Sequence, residues 1–247
     1  MYDLDSNNDL TMTNRKIAII TVVKNDDERL QRTKNSVLEQ RIGETILHHV
    51  IIKNTDQLGH GLYSILSEHT PFHKETVINL NDNGIYMAMN YGLALSKAKY
   101  CLFLNAGDTF LTKNSMKQLL GIDELSETGS KSSYYFPFFY DKPTLNNCYD
   151  LVGFSNLTAA HKNGMLICQQ SILFNRSILI HIGGFDQSFR LAGDYEIVTR
   201  LIKIGHSFKL LPLVLVRYEG GGLSETLQEK TAAEINLTRN RYAQNLH

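Results

Sequence analysis

Hydrophobic and polar positions alternate between two regimes over the first 110 residues. Short continuous apolar runs, rich in β-branched side chains, occur at Lys16–Val23 (KIAIITVV), His48–Ile52, Thr76–Leu80 and Tyr100–Leu104 (YCLFL). Runs of this length without polar alternation predict strands buried on both faces, as in a parallel sheet. Between them the period lengthens. Glu28–Gln40 places Leu30, Thr33, Val37 and Leu38 on one helical stripe, Ile85–Lys97 offers Ala88, Tyr91, Leu93 and Leu95, and Leu62–His69 also reads as helix. Strands alternating with helices imply an α/β fold, a mostly parallel sheet with right-handed crossovers and helices on its faces, in a single domain.

After residue 110 the pattern is less regular. Asn114–Gly121 predicts a short helix and Leu125–Ser133 a turn-rich connection. Ser133–Tyr140 (SYYFPFFY) is strongly aromatic, and Pro137 makes it an edge or irregular strand. Asp141–Gly164 reads as loop. Ser171–Asn175 predicts a strand, Ser177–Ile182 a helix stopped by Gly183-Gly184, Tyr195–Ile204 an amphipathic helix, and Phe208–Tyr218 a last apolar strand. Gly220-Gly221-Gly222 reads as a flexible link before a polar helix over Glu225–Asn245.

Composition narrows the chemistry. The 247 residues carry a formal net charge of zero, 25 basic against 25 acidic side chains, so binding nucleic acid through bulk charge is not expected. Cys101, Cys148 and Cys168 have no CxxC spacing and read as buried thiols of a reducing compartment. The nine histidines show no HxxxH or HExxH spacing, so a zinc site is not expected. The polar start of the chain lacks the apolar core of a secretory signal, and no apolar run reaches the ~20 residues that span a bilayer, so a cytoplasmic protein is expected.

The stretch Ile78–Phe110 concentrates the candidate function. It ends in Asn105-Ala106-Gly107-Asp108, just past the Tyr100–Leu104 strand, and ligands of open α/β sheets bind at the carboxyl ends of strands. No GxGxxG follows the first strand and no GxxxxGK[ST] is present, which argues against dinucleotide dehydrogenases and P-loop nucleotidases. A second acidic position, Asp194 in Ala192-Gly193-Asp194-Tyr195-Glu196, heads a predicted helix. Either aspartate could instead be a helix N-cap.

NDNGIYMAMNYGLALSKAKYCLFLNAGDTF, with KIAIITVVKND before it and CQQSILFNRSILIHIGGFDQSFRLAGDYEIVTRLIKIG after it, resembles the inverting family 2 glycosyltransferases of GT-A, Rossmann-like fold. The similarity is strongest to the branch that builds bacterial surface polysaccharides such as colanic acid and O-antigen. It covers most of Lys16–Gly222. The resemblance implies a flexible start (1–14), a GT-A domain (15–222) with a nucleotide-binding half (15–112) and an acceptor half (113–222), and a C-terminal helical segment (223–247).

The implied reaction transfers a sugar from a nucleotide-diphosphate sugar, with UDP the commonest nucleotide, to an acceptor hydroxyl with inversion. Asp108 stands where the family carries its DxD-type motif and is implied to hold a divalent cation, Mn²⁺ or Mg²⁺. Here Asn105 and Gly107 replace the usual first and middle residues. Asp194 matches the second member of the family's acidic pair, its catalytic base, with Gly193 in place of the first and Glu196 as runner-up. Thr21, Val23 and Asn25 end the first strand and are implied to offer backbone groups to the nucleotide base, with Asn54 or Asp56 substituting for a missing Asp-Gly-Ser loop. Asp82, Gly84, Ile85 and Asn90 match the family's loop and helix over the nucleotide. Gln169 and Gln170 stand where the branch has His-Gln and could face acceptor or diphosphate, or form a polar turn. Asp186 in GGFD matches a turn near the acceptor side, together with Glu196.

By the same analogy the acceptor is a lipid-diphosphate-linked saccharide, met at the inner face of the cell membrane. The departures from the family motifs favour a competing reading, a nucleotide-sugar-binding partner of another transferase with little activity of its own. A sugar-phosphate nucleotidyltransferase ranks last, because Lys24-Asn25-Asp26-Asp27 lacks the basic, glycine-rich loop such enzymes need after the first strand.

Overall fold

The computed structural model describes residues 17–42, 47–55, 65–69, 73–81, 84–126, 131–141, 149–162 and 168–243. The first run is strand β1, Ile17–Lys24, buried along all but its last residue. Its side chains alternate between two cores, as the period of a strand requires. Ala18, Ile20 and Val22 face one core, and Ile17 and Ile19 the other. Helix α1 (Asp27–Leu38) follows, capped by the Asp26 side chain, which accepts from Arg29 N at 2.9 Å. Strand β2 (Leu47–Thr55) lies parallel to β1 and β4 (His73–Asn81) parallel to β2. Helix α2 (Ile85–Leu95) leads into β5 (Tyr100–Phe103), which pairs in parallel with the other edge of β1.

The segment read as helix over Leu62–His69 departs from expectation. Ile65–His69 is a strand, β3, antiparallel to β4 from Ile65↔Ile78 to His69↔Lys74. A nine-residue β4 presents unpaired backbone groups along its outer edge, and pairing them outweighs the weak helical preference of so short a segment.

Strand β6 is Thr109–Phe110, and the next helices are α3 (Ser115–Leu120) and α4 (Asp123–Ser126). The aromatic run is two strands in two sheets. β7 (Ser133–Tyr135) lies inside the large sheet, and β8 (Phe138–Asp141) belongs to a small one. The region expected to be loop holds β9 (Tyr149–Val152) and α5 (Leu157–Lys162). A 3-10 turn at Gln169–Ser171 feeds β10 (Ile172–Asn175), followed by α6 (Arg176–His181) and α7 (Gly193–Lys203). The final apolar run is also two strands, β11 (Phe208–Leu210) and β12 (Val216–Tyr218).

Prolines explain both divisions. Pro137 separates β7 from β8, and Pro212 lies between β11 and β12; neither can donate to a sheet ladder. The two runs travel side by side, β11 parallel to β7 and then β12 parallel to β8. The large sheet has order β11-β7-β10-β5-β1-β2-β4-β3 and the small sheet β6-β12-β8-β9. The chain continues through α8 (Leu223–Thr226) and α9 (Gln228–Ala243). Among the described residues no helix is long and apolar enough to cross a membrane.

Candidate active site

The carboxyl ends of β1 and β5 open onto a cleft of about 400 Å³. Beyond β5 the chain turns back at Asn105–Asp108, with Asp108 N donating to Asn105 O at 3.0 Å. Helix α1 holds this turn through Thr33, whose hydroxyl donates to Asp108 O at 2.8 Å and accepts from Gly107 N at 2.9 Å. Gly107 has φ of 104°, a conformation that side chains avoid, and a Cβ there would run into the paired side chains of Glu219 and Arg29. The glycine that replaces the middle residue of the acidic motif is therefore required by its neighbours.

Asp108 is 2% exposed. Gln170 Nε2 donates to its Oδ2 at 2.8 Å, and Glu219 N donates to its Oδ1 at 3.1 Å. It caps no helix, since the next one starts at Ser115. Burial pushes its pKa up to about 7, against the lowering effect of these hydrogen bonds and of Arg29. The residue that reaches it from β12 is itself strapped down. Arg29 Nε lies 3.0 Å and Arg32 Nη2 2.7 Å from the Glu219 carboxylate, and Arg29 Nη2 donates to Gly220 O at 3.1 Å.

Asp194 lines the same cleft from the first turn of α7. Its Oδ1 accepts from Tyr195 N at 2.8 Å. The start of a helix would by itself lower the pKa. Burial dominates and, with Glu234 adding to it, pushes the value up to about 6. The neighbouring Gly193 also has a steric reason, because a Cβ there would lie 2.7 Å from the Tyr86 ring. That ring is buried and stacks on Phe185 with centroids 5.7 Å apart.

Val23, Asn105, Asp108, Gln170 and Asp194 thus meet on one cleft. Other candidate residues are engaged elsewhere. The Thr21 hydroxyl is buried, donating to Leu104 O and bonded to His49 Nε2, both at 2.8 Å, so it ties β1 to its neighbours. Asn25, with φ of 50°, turns the chain after β1 without lining the cleft. Asn54 donates to Gly84 O at 3.4 Å, and both border a separate small pocket. Asn90 grips the backbone of Phe185, donating to its O at 2.9 Å and accepting from its N at 2.8 Å, which fixes the GGFD turn. Asp186 accepts from Ser188 N and from Arg241, a turn and surface-pairing role. Glu196 is buried between Arg200 at 2.9 Å and Tyr242 OH at 2.6 Å, which rules it out as a group facing the cleft. Asp56 and Asp82 lie outside the described residues, as do Cys148 and residues 1–14.

The motif match leaves Arg29, Thr33, Tyr86, Glu219 and Glu234 unnamed as site residues. Of these only Glu219 had a local signal, its position before three glycines. Cys101 and Cys168 are buried and unbridged.

For a hard divalent cation the donors on this side of the cleft are Asp108 and Asn105, and the buried Oδ1 of Asn105 has no hydrogen-bond partner among the described residues. Among the described residues no group of three His, Cys, Asp or Glu side chains could hold a metal. One carboxylate plus one amide oxygen fits a cation whose other ligands are ligand phosphates and water, as Mg²⁺ prefers.

Comparison with known proteins agrees with this fold. An uncharacterized glycosyltransferase, Rv1514c, of Mycobacterium tuberculosis H37Rv is 30% identical over 189 residues, 74% of this chain and 68% of that protein. A mannosyltransferase from Pyrobaculum calidifontis, solved with GDP-Man and Mn²⁺, superposes with a TM-score of 0.65 at 11% identity, covering 95% of this chain and 66% of that one. Staphylococcus aureus TarS 1-349, solved with UDP, gives a TM-score of 0.61 at 13% identity over 83% of this chain, which spans only 60% of that structure. At such identities the structural likeness is one of GT-A fold. A family model described as glycosyl transferase family 2 matches residues 18–181. With two-thirds of its length inside that match, the chain belongs to glycosyl transferase family 2 and is a glycosyltransferase.

Proposed function

We propose that this glycosyltransferase moves a sugar from a nucleotide-diphosphate sugar, a UDP-sugar in first place, to an acceptor hydroxyl with inversion at the anomeric carbon. The observation that carries the proposal is the convergence of Asp108 and Asp194 on one cleft from opposite halves of the chain. Inversion requires attack on the face opposite the leaving group, so the base and the group that steadies the diphosphate must stand apart across the sugar.

Asp194 acts as the base. It takes the proton of the acceptor hydroxyl as that oxygen bonds to the anomeric carbon. The bond from this carbon to the diphosphate oxygen breaks, and the nucleoside diphosphate leaves with the bonding pair. A carboxylate with a pKa near 6 is a stronger base than an ordinary aspartate and is still mostly ionised at pH 7. Asp108 and Asn105 would hold a divalent cation, Mn²⁺ or Mg²⁺, which supplies positive charge against the leaving diphosphate. Gln170 keeps Asp108 oriented, and Val23 borders the nucleotide side.

The acceptor we propose is a saccharide, lipid-linked, in surface polysaccharide synthesis of the O-antigen, colanic acid or capsule type. It would be met at the cytoplasmic membrane face. The test is a panel of UDP- and GDP-sugars with Mn²⁺ and the purified chain, following nucleoside diphosphate release and the anomeric configuration of the product. Asp194→Asn should abolish transfer while donor still raises the melting temperature. Transfer retained in that variant refutes the base assignment. Donor binding without turnover in the wild type would instead mark a nucleotide-sugar-binding partner.

A further inference from the structure

We infer that Glu234 is a positioning residue for Asp194, so that helix α9 is part of the catalytic apparatus; this rests on Asp194 being the base.

Helix α7 begins without a side-chain cap, since its cap residue is Ala192. The segment entering it instead donates three consecutive backbone N–H groups to one carboxylate on α9. Arg190 N reaches Glu234 Oε1 at 2.9 Å, Leu191 N reaches Oε2 at 2.9 Å, and Ala192 N reaches Oε2 at 2.8 Å. Hydrogen bonds to an ionised acceptor are the strong kind, and three in sequence leave the segment little freedom. Two residues past Ala192 stands Asp194. Between them Gly193 packs against the Tyr86 ring of α2. The backbone of the base is therefore held from α2 on one side and from α9 on the other.

Helix α9 is fastened to the same region at further points, with Tyr242 donating to Glu196 at 2.6 Å and Arg241 to Asp186 at 2.7 Å. These bonds and that of Arg239 to Tyr195 OH fix where α9 lies, and Glu234 is the α9 residue that holds the backbone entering α7.

The Glu234 charge also acts on Asp194 directly. Among the described residues the titratable groups facing Asp194 are Tyr86 from α2, Cys168 ahead of the 3-10 turn and Glu234 from α9, while Arg190 borders the same cleft. Tyr86 and Cys168 are driven towards their neutral forms by burial, so the charge that disfavours ionisation of Asp194 is that of Glu234. Removing it should move the acid limb of the pH profile in a known direction.

The experiment uses the full chain with its best donor and acceptor, and measures kcat and KM from pH 5 to 8 beside melting temperatures. Glu234→Gln removes the charge and part of the hydrogen bonding. It should lower kcat by about ten- to a hundredfold, the range expected for a displaced reacting group, with donor KM little changed and the acid limb moved to lower pH. Arg241→Ala loosens α9 at another point; it should lower the melting temperature and leave the acid limb in place. A Glu234→Gln variant that melts earlier but keeps wild-type kcat and acid limb overturns the inference. Should that variant fail to fold, Glu234→Asp decides. It keeps the charge but draws the carboxylate back, so a fall in kcat at constant donor KM supports the positioning role and an unchanged kcat overturns it. Asp194→Asn is run in parallel, and turnover surviving there refutes the base assignment itself, whatever the Glu234 variants do.

Discussion

Replacing Asp194 by asparagine should make the protein more stable at neutral pH while abolishing transfer. The raised pKa means that folding disfavours the ionised carboxylate. An upward shift from 3.8 to about 6 corresponds to a penalty of about 3 kcal/mol once the group is fully ionised, taking roughly 1.4 kcal/mol per unit. Asp194 is only partly buried at the cleft surface, and solvent there reduces the figure to about 1–2 kcal/mol. Between the two pKa values the native state holds the proton more tightly than the unfolded chain. Stability of the wild type therefore falls as pH rises through this window, and the asparagine variant lacks that fall. Asparagine also keeps an oxygen for Tyr195 N, so the helix start is not disturbed. Urea unfolding of both proteins at several pH values from 4 to 8 measures the difference directly, and titrating groups that do not interact with Asp194 cancel between them. The stability gap should open in favour of the variant between about pH 4 and 6 and then stay level above pH 7. A gap independent of pH, or a variant less stable than wild type at pH 8, refutes the burial argument.

Other perturbations follow from the same contacts. Gly193→Asp, which restores the family's acidic pair in sequence, should destabilise by about 1–3 kcal/mol through overpacking against Tyr86, read as a lower urea midpoint. Gly107→Ala should cost at least as much, because its positive φ adds to the collision with the Arg29–Glu219 pair, and thermal unfolding would register it. Gln170→Leu leaves Asp108 Oδ2 without its donor, with an expected loss of about 1–3 kcal/mol and weaker transfer; a variant equal to wild type in both would show that this bond is idle. With divalent cation saturating, so that Asp108 stays ionised, the acid limb of kcat/KM should fall near pH 6 for the wild type, where Asp194 takes up its proton.

The parts of the fold legible in the sequence were those whose burial is written locally. β1, β2 and β5 are apolar runs because both faces of the sheet are covered there, β4 beside the edge alternates buried and half-buried positions, and α1 and α7 show their stripes for the converse reason. β3 was misread because its state depends on an edge of β4 that no local pattern encodes. The aromatic run 133–140 and the run 208–218 read as single strands because apolar content continues through Pro137 and Pro212, while the ladders do not. Asp108, Asn105, Gln170 and Asp194, which the resemblance names by position, all line the cleft. Asn90 and Glu196 matched by position but are spent on the GGFD turn and on α9. Thr33, Glu219 and Glu234 were missed because each acts on backbone far away in sequence, a relation visible only once the chain is folded.

The strap over Asp108 also bears on how the enzyme is acquired during folding. Gln170 lies 62 residues from Asp108 and Glu219 lies 111, while Arg29 reaches Glu219 across 190 residues. Contacts of such separation form late, because the ordering of long intervening loops must come first. The parallel strands β1, β2 and β4 join neighbours 26 to 30 residues apart and β5 joins β1 across 83, all shorter than the 111 and 190 residues that bring Glu219 onto Asp108 and Arg29, so the strands can assemble before Glu219 arrives. A refolding chain would then recover its helical and sheet signal before its catalytic competence, and the lag between the two would time the arrival of residues 219 and 220 over the cleft.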